Sequence, residues 1–124
     1  PFIDKEMVSS VIKAAARYGA AIVGVPVKAT IKKVRSQEGG VRRVEKTIDR
    51  NNLWEIQTPQ VFKKDLILKA YKKFVNTDVT DDAMLVEKLG VKVRAVLGNY
   101  KNIKITTPED LVLAEGLAHK WNIA

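Results

Sequence analysis

The sequence predicts an α/β fold with an inserted β-hairpin arm, and three observations support this prediction. Amphipathic segments at helical spacing alternate with short β-branched segments along most of the 124 residues. Residues 20–27 are continuously apolar, which is typical of a strand covered on both faces. Residues 28–50 are instead charged and β-branched around a central Gly39-Gly40 pair, a pattern that favours a hairpin.

The first predicted helix begins after Asp4, whose side chain suits an N-cap, and ends before Gly19, which suits the left-handed position after a helix. Six apolar residues lie between them at helical spacing: Met7, Val8, Val11, Ile12, Ala15 and Tyr18. The run at 20–27 then predicts a buried strand of the kind found in parallel sheets. Pro26 indicates that the end of this strand lies near an edge or a bend.

The predicted arm at 28–50 holds eight basic and three acidic residues, so +5 of the chain's net charge of +8 lies in it. A two-residue loop would place Lys33 opposite Lys46, where the like charges repel each other. We therefore favour a three-residue loop, which places Arg35 opposite Glu45. Few large apolar residues line this hairpin, so we expect it to project and to pack against something else.

Two further helices are predicted beyond the arm. The T-P-Q-V-F motif at 58–62 leads into a helix with apolar residues between positions 66 and 74. A shorter helix begins after Thr80 or Asp81, either of which can cap it, and ends at Gly90.

Two strands and a last helix complete the predicted fold. Alternating apolar residues predict short strands at 91–97 and 102–106. The T-P-E-D sequence at 107–110 combines a cap residue, a proline at the first helical position and acids in the first turn. The helix that it starts is expected to run to about Trp121.

The composition excludes several kinds of site. The sequence has no cysteine and a single histidine, His119, which excludes a thiolate zinc site and a multi-histidine metal centre. Its seven glycines form neither a G-x-G-x-x-G motif nor a Walker loop, and one late histidine argues against a Ser-His-Asp set. The net positive charge favours an anionic partner, such as a phosphate metabolite, a nucleic acid or an acidic lipid. Electrostatic phosphate chemistry is the enzymatic option that remains.

Lys104 is the first candidate for phosphate binding. If Ile103 and Ile105 face one side of the predicted strand, Lys104 faces the other, near the start of the last helix. Proteins with α/β folds bind phosphates at such places through exposed amides, the helix dipole and a cation. An isolated lysine on an edge strand is more often simply solvated, so both interpretations stay open.

The other candidates also have ordinary explanations. Arg50 could grip a phosphate with two parallel hydrogen bonds, or it could pair with Asp49 or Glu45 at the surface. Asp81-Asp82 could hold a metal ion, although acidic residues are also favoured at a helix N-terminus. Three threonines could donate hydroxyl groups to a substrate or serve as turn and cap residues: Thr30, Thr58 and Thr80.

Four segments occur in an order and spacing that resemble a known enzyme family. They are P-F-I-D at 1–4, T-I-D-R-N-N-L-W-E-I-Q-T-P-Q-V-F at 47–62, T-D-D-A at 80–83 and N-I-K-I-T-T-P-E-D-L at 102–111. Together they resemble the carboxyl-terminal half of the 2-C-methyl-D-erythritol 4-phosphate cytidylyltransferases, and the likeness covers essentially the whole chain. Ribitol 5-phosphate cytidylyltransferases share parts of the second and fourth segments.

The resemblance implies part of a Rossmann-like nucleotidyltransferase sheet, with residues 1–124 as the carboxyl-terminal portion of one domain and 28–50 as a dimerisation arm. In this family, the phosphate of methylerythritol phosphate attacks the α-phosphorus of CTP and releases pyrophosphate, a step of non-mevalonate isoprenoid synthesis. Mg²⁺ takes part, and we expect it to be held mainly by substrate phosphates and by residues outside this chain. The resemblance also implies a cytoplasmic homodimer with neither a nucleic-acid nor a membrane partner.

The resemblance assigns roles to five residues. Lys104 matches the catalytic lysine that stabilises the α-phosphate as it becomes pentavalent. Thr30 and Arg50 match arm residues that reach across a dimer to hold the sugar phosphate of the neighbouring subunit. Thr58 and Thr80 match positions on the substrate side.

The sequence also departs from the family pattern. That pattern includes a glycine-rich loop with an arginine and a lysine that cradles CTP, and an acidic residue just before the proline that matches Pro1. Since neither occurs here, we expect the 124-residue chain to be inactive by itself. The resemblance implies that it supplies the half of the enzyme that contains the acceptor side and the arm. The alternatives are a ribitol 5-phosphate enzyme, a non-catalytic assembly fragment, or a nucleic-acid-binding module, which an aromatic content of only 6% disfavours.

Overall fold

The computed structural model describes residues 1–36, 40–75 and 78–120, and it confirms a mixed α/β fold. The elements, in chain order, are α1 (Lys5–Tyr18), β1 (Ala20–Pro26), β2 (Ile31–Ser36), β3 (Arg42–Ile48), β4 (Trp54–Phe62), α2 (Lys64–Lys73), α3 (Asp82–Lys88), β5 (Arg94–Leu97) and α4 (Pro108–Lys120).

Strand β1 lies at the centre of a three-stranded sheet of order β4-β1-β5. Every residue from Ala20 to Val25 is buried, as the apolar run predicted. The sheet is parallel only between β1 and β5, whereas β4 runs antiparallel to β1. Strand β4 was not predicted, and it contains the whole T-P-Q-V-F motif at 58–62.

The pairing of β1 with β4 is interrupted in the middle. Ile22 pairs with Gln60 and Val23 pairs with Gln57, so Thr58 and Pro59 bulge out of the ladder. A bulge of this kind bends a strand and redirects its side chains and carbonyls. Here the bulge places the Thr58 carbonyl where the side chain of Asn102 donates a hydrogen bond to it.

Helices cover both faces of β1. On one face, Met7, Val11 and Ala15 of α1 form a core cluster with Ala21 and Val23. The other face carries a second cluster, in which α2 and α3 cover β1: Ala20, Ala70, Leu85 and Val86. The two clusters explain why β1 has no polar face, since successive side chains point to opposite sides of a sheet.

The helix boundaries follow their predicted caps. The Oδ1 atom of Asp4 accepts a hydrogen bond of 2.7 Å from the amide of Met7. Gly19 follows α1 with a φ of +94°, a conformation that favours glycine. For α3 the cap is Asp81 rather than Thr80, since Asp81 Oδ1 accepts the amide of Met84 at 3.0 Å. Pro108 is the first residue of α4, as predicted, while Trp121 lies outside the described residues.

The arm contains a separate two-stranded antiparallel sheet formed by β2 and β3, but its preferred register was wrong. Lys33 pairs with Lys46, and a shift beyond that point pairs Arg35 with Arg43. The shift leaves Glu45 as the extra residue of a bulge. Its carboxylate lies 2.8 Å from Nε of Arg35 and 3.3 Å from Nζ of Lys33, so it offsets the repulsion that the register otherwise creates.

The predicted strand at 102–106 was also wrong, because this segment belongs to no sheet. Turn hydrogen bonds begin it: the amide of Asn102 donates to Asn99 O at 2.9 Å and that of Ile103 donates to Lys101 O at 2.8 Å. The expected alternation also fails, since Asn102 is buried and Ile105 is exposed. Apolar alternation alone does not supply the neighbouring strand that a ladder needs.

None of the helices within the described ranges has both the length and the apolar character needed to cross a membrane.

Candidate functional site

An open groove of about 910 Å³ lies beside β4, where the segment after β5 and the residues before α3 approach the Thr58-Pro59 bulge. Its lining is contributed by fourteen residues: Pro1, Val25, Glu55, Ile56, Gln57, Thr58, Gln60, Thr80, Asp81, Tyr100, Asn102, Ile103, Lys104 and Ile105. These residues come from five segments that are far apart in the sequence, so the groove forms only when the chain folds.

Three of the five predicted site residues line this groove. Lys104, Thr58 and Thr80 come from different segments and are all exposed to solvent. Among the lining residues, Lys104 alone has a cationic side chain. The arrangement therefore offers one cationic side chain and two threonine hydroxyl groups to a ligand with a phosphate and hydroxyls.

Thr30 and Arg50 lie outside this groove, in the arm next to the ends of β2 and β3. Arg50 Nη1 donates a hydrogen bond to the carbonyl of Lys28. The carboxylates that were considered as partners of Arg50 make other contacts: Glu45 binds Arg35 and Lys33, while Asp49 accepts the amide of Asn51 at 3.1 Å. Arg50 thus secures the base of the arm through a backbone carbonyl.

Tyr100 connects the groove to the base of the arm. It lines the groove, and its hydroxyl donates to the carbonyl of Pro26 at 2.6 Å. The Nζ atom of Lys28 lies 3.4 Å from the centre of the Tyr100 ring, within the range of a cation–π contact. The arm is therefore anchored to the same segment that carries Lys104.

The segment leading to Lys104 is fastened to β4 by two amide side chains. Gln57 Nε2 donates to Asn99 O at 2.9 Å and to Asn102 O at 3.2 Å. In return, Asn102 Nδ2 donates to Thr58 O at 2.8 Å. Neither residue was identified from the sequence, because the bulge that brings them together gives no local pattern.

Asp81 also lines the groove, with both carboxylate oxygens engaged. Oδ1 caps α3, and Oδ2 accepts Nε2 of Gln60 at 2.9 Å. The neighbouring Asp82 accepts a hydrogen bond from the hydroxyl of Tyr71, which raises the pKa of that tyrosine. Over residues 1–36, 40–75 and 78–120, no group of three or more histidines and carboxylates could hold a metal ion.

The start of α4 is less open to an anion than the sequence suggested. Asp110 Oδ2 accepts the amides of Thr106 and Thr107, each at 2.9 Å. These backbone hydrogen bonds lower the pKa of Asp110 to about 2. Because a carboxylate already occupies these amides, the positive charge of Lys104 is the feature of this region that remains available to a phosphate.

The comparisons with known proteins agree on one family. Residues 1–120 match the family model of IspD, 2-C-methyl-D-erythritol 4-phosphate cytidylyltransferase. The enzyme of that name from Caldanaerobacter subterraneus is 55% identical over 117 residues, which cover 93% of this chain and 50% of the relative. The Alkaliphilus metalliredigens enzyme of the same name is 46% identical over 122 residues, or 97% of this chain and 49% of the relative.

Solved structures give the same result. The crystal structure of 2-C-methyl-D-erythritol 4-phosphate cytidylyltransferase from Thermus thermophilus matches 96% of this chain and 57% of its own, with a TM-score of 0.82 and 38% identity. The chain spans about half the length of the curated relatives it matches. With a family model that covers nearly all of it, the chain belongs to the 2-C-methyl-D-erythritol 4-phosphate cytidylyltransferase family.

Proposed function

We propose that the protein takes part in cytidylyl transfer from CTP to 2-C-methyl-D-erythritol 4-phosphate, a step of isoprenoid precursor synthesis. The observation that carries the proposal is the groove in which Lys104 lies with Thr58 and Thr80, in a chain of this family. The relatives named above carry methylerythritol phosphate in their names, which supports this acceptor over ribitol 5-phosphate. A cytoplasmic location is part of the same proposal.

In the proposed reaction, an oxygen of the methylerythritol phosphate attacks the α-phosphorus of CTP. The bond from that phosphorus to the β-phosphate oxygen breaks, and pyrophosphate leaves with the electron pair. Negative charge accumulates on the α-phosphate in the transition state, and the ammonium group of Lys104 compensates it. No covalent bond to the protein is needed, so positioning and charge neutralisation supply the rate enhancement.

Thr58 and Thr80 would donate their hydroxyl groups on the acceptor side of the groove. Thr30 and Arg50 would bind the sugar phosphate in the groove of a second copy of this chain. Support for the second assignment comes from their position in the arm, outside their own groove, and from the exposure of β2 and β3 along almost their full length. The homodimer through residues 28–50 belongs to this proposal.

Mg²⁺ would enter with the nucleotide. The described residues do not supply a cluster of ligands for it, and both oxygens of Asp81 already accept hydrogen bonds. We therefore expect the metal to be held mainly by the substrate phosphates, whose charge it neutralises, and by residues outside this chain. The groove residues bind and orient the acceptor without being metal ligands.

The test is a hybrid enzyme, in which this chain replaces the matching segment of the Caldanaerobacter subterraneus relative. We expect it to form diphosphocytidyl-methylerythritol from CTP and methylerythritol phosphate, and to prefer this acceptor to ribitol 5-phosphate. Lys104→Ala should lower kcat by about a hundredfold or more, as for a lost contact to transition-state charge. An unchanged kcat would remove Lys104 from the mechanism.

Lys92→Ala is the matched control, since Lys92 is an exposed lysine that does not line the groove. It should leave kcat within about twofold of the parent value, as expected for a surface substitution. The 124-residue chain assayed alone tests the expectation that it is inactive. Diphosphocytidyl-methylerythritol formed by the chain alone would contradict that expectation.

Arg50→Ala tests the acceptor-side role of the arm in the same hybrid. We expect it to raise the KM for methylerythritol phosphate by about tenfold or more, because a guanidinium that binds a phosphate contributes through charge-assisted hydrogen bonds. The KM for CTP should stay close to that of the parent. Equal changes for the two substrates would contradict this assignment.

A further inference from the structure

We propose that Gln57 and Asn102 form an amide clamp that positions Lys104 in the groove. The inference rests on the proposed function, in which Lys104 acts on the α-phosphate. The structure connects the two amides to the Lys104 segment directly, through three hydrogen bonds between side chain and backbone. Neither amide is given a role in the reaction itself.

Gln57 provides the first part of the clamp. Its Nε2 donates to Asn99 O at 2.9 Å and to Asn102 O at 3.2 Å, so one NH₂ group holds both ends of the turn that precedes Lys104. A primary amide has two N–H donors, which is what this pair of carbonyls requires. A hydroxyl or an apolar side chain at this position could not hold both carbonyls.

Asn102 provides the second part of the clamp. It donates from the Lys104 segment to β4, whereas Gln57 donates from β4 to that segment. The Asn102 side chain is 8% exposed and donates to Thr58 O at 2.8 Å. Thr58 is one of the two residues that bulge from β4, so the bulge creates the acceptor for this bond. Since residues 102–106 belong to no sheet, these bonds fasten the segment where a ladder would otherwise do so.

The clamp leaves one buried polar atom without a hydrogen-bond partner within the described ranges. The Oε1 atom of Gln57 is buried and has no hydrogen-bond partner among the described residues. A buried polar atom without a hydrogen-bond partner lowers stability, so its presence needs an explanation other than packing. A methionine would fill similar space without this penalty, so packing alone does not account for Gln57.

Gly98 shows how closely the clamp is fitted. A Cβ atom at this position would lie 2.3 Å from Gln57 Oε1 and 2.5 Å from Val23 Cγ1. Real Cβ atoms do not approach other atoms so closely, and the Val23 side chain belongs to the buried core. A side chain at residue 98 would therefore displace the Gln57 amide, the buried Val23 side chain, or both.

The chain offers a matched control on the same strand. Gln60 also lines the groove, and it follows Gln57 across the bulge, but its Nε2 donates to Asp81 Oδ2 at 2.9 Å. Gln57 and Gln60 thus have the same side chain and strand, yet they hold different walls of the groove. Only Gln57 is connected to the segment that carries Lys104.

The first experiment is a double-mutant cycle in the hybrid enzyme. Gln57→Met should lower kcat by about tenfold to a hundredfold with the KM for CTP within about threefold, because small misplacements of a catalytic group have effects of this size. In the Lys104→Ala background, the same substitution should change kcat by less than about threefold. Gln60→Met should instead combine additively with Lys104→Ala. Additive effects of Gln57→Met would overturn the proposal.

The second experiment does not depend on catalysis. Limited digestion of the hybrid with trypsin measures how accessible the Lys104-Ile105 bond is. Gln57→Met should accelerate this cleavage by about tenfold, since local opening governs proteolysis, whereas Gln60→Met should change it by less than about twofold. Equal rates for the two variants would overturn the clamp. If Lys104→Ala leaves kcat unchanged while the digestion result holds, the proposed function fails and the clamp stands as structure alone.

Asn102→Leu keeps the inference testable if Gln57→Met does not fold. Leucine is similar in size to asparagine, adds no charge near Lys104, and removes the Nδ2 donor to Thr58 O and to Met7 Sδ. We expect the same pattern of non-additivity with Lys104→Ala and the same faster cleavage after Lys104. A purely additive effect of this variant would also overturn the clamp.

Discussion

The sheet around β1, which we call the body together with α1, α2 and α3, is stabilised differently from the arm. In the body, β1 is buried on both faces, and Val23 has no exposed surface. In the arm, Val44 is 55% exposed, and ion pairs of Glu45 connect β2 with β3. A two-stranded sheet with so little burial is marginal by itself. The body is therefore stabilised by a buried core, whereas the arm buries little surface and depends on further contacts for its stability.

The largest expected difference between the body and the arm is the loss of unfolding free energy when one valine in each is replaced by alanine. Val23→Ala should lower the free energy of unfolding by about 2 kcal/mol, through lost burial and a new cavity. Val44→Ala should lower it by no more than about 0.5 kcal/mol, as for other exposed positions. Urea unfolding of the dilute chain measures both values.

Equal losses of unfolding free energy for the two variants at every protein concentration would contradict this difference between body and arm. A loss that grows with protein concentration for Val44→Ala, but not for Val23→Ala, would show that the arm is stabilised by association. Growth of that kind is the signature of a second copy that covers the arm, because binding to the folded state adds stability by mass action.

A smaller effect is expected from the bulge in the arm. Glu45→Gln removes the charge that holds Arg35 and Lys33, and it leaves Lys33 opposite Lys46 without compensation. We expect the opening free energy of β2 and β3, measured by amide hydrogen exchange, to fall by about 0.5 kcal/mol in low salt, and by less in high salt. Glu87→Gln on α3 serves as the control. A loss that does not respond to salt would show that charge is not the cause.

The smallest effect concerns the start of α4, where Asp110 accepts two backbone amides. The amides of Thr106 and Thr107 lower the pKa of Asp110 from 3.8 to about 2. A lowered pKa means that the stabilisation is complete above pH 3.8 and is lost as the pH falls through about 2. The amide resonances of Thr106 and Thr107 should shift with a midpoint near pH 2, and Asp110→Asn should remove the shift. A midpoint near the ordinary value of an aspartate would contradict the hydrogen bonds that we describe.

Features that depend on a few neighbouring residues were predicted correctly. The cap of α1 at Asp4, the turn at Gly19 and the start of α4 at Pro108 follow from local backbone geometry. The burial of β1 follows from its continuous apolar run. The cap of α1 is fixed by a hydrogen bond within one turn of the chain. The burial of β1 is completed by α1, α2 and α3, and only the apolar character that allows it is local.

Features that depend on distant partners were missed. Strand β4 carries many polar residues, and its place in the sheet is fixed by its pairing with β1. Gln57 and Asn102 are 45 residues apart, and only the folded chain brings them together. The register of the arm was predicted wrongly for a related reason. The bulge at Glu45 cannot be recognised from the alternation of apolar and polar residues.

The open ribbon of the arm has a consequence for handling the protein. Within the described residues, β2 and β3 pair only with each other, so each presents one free edge of backbone donors and acceptors. Such edges can nucleate aggregation by adding strands from other molecules, and basic side chains are a common protection against it. Lys32, Lys33, Arg42 and Arg43 supply that protection here. We therefore expect aggregation, measured as turbidity, to be slow in dilute buffer and faster in added salt, which screens these charges.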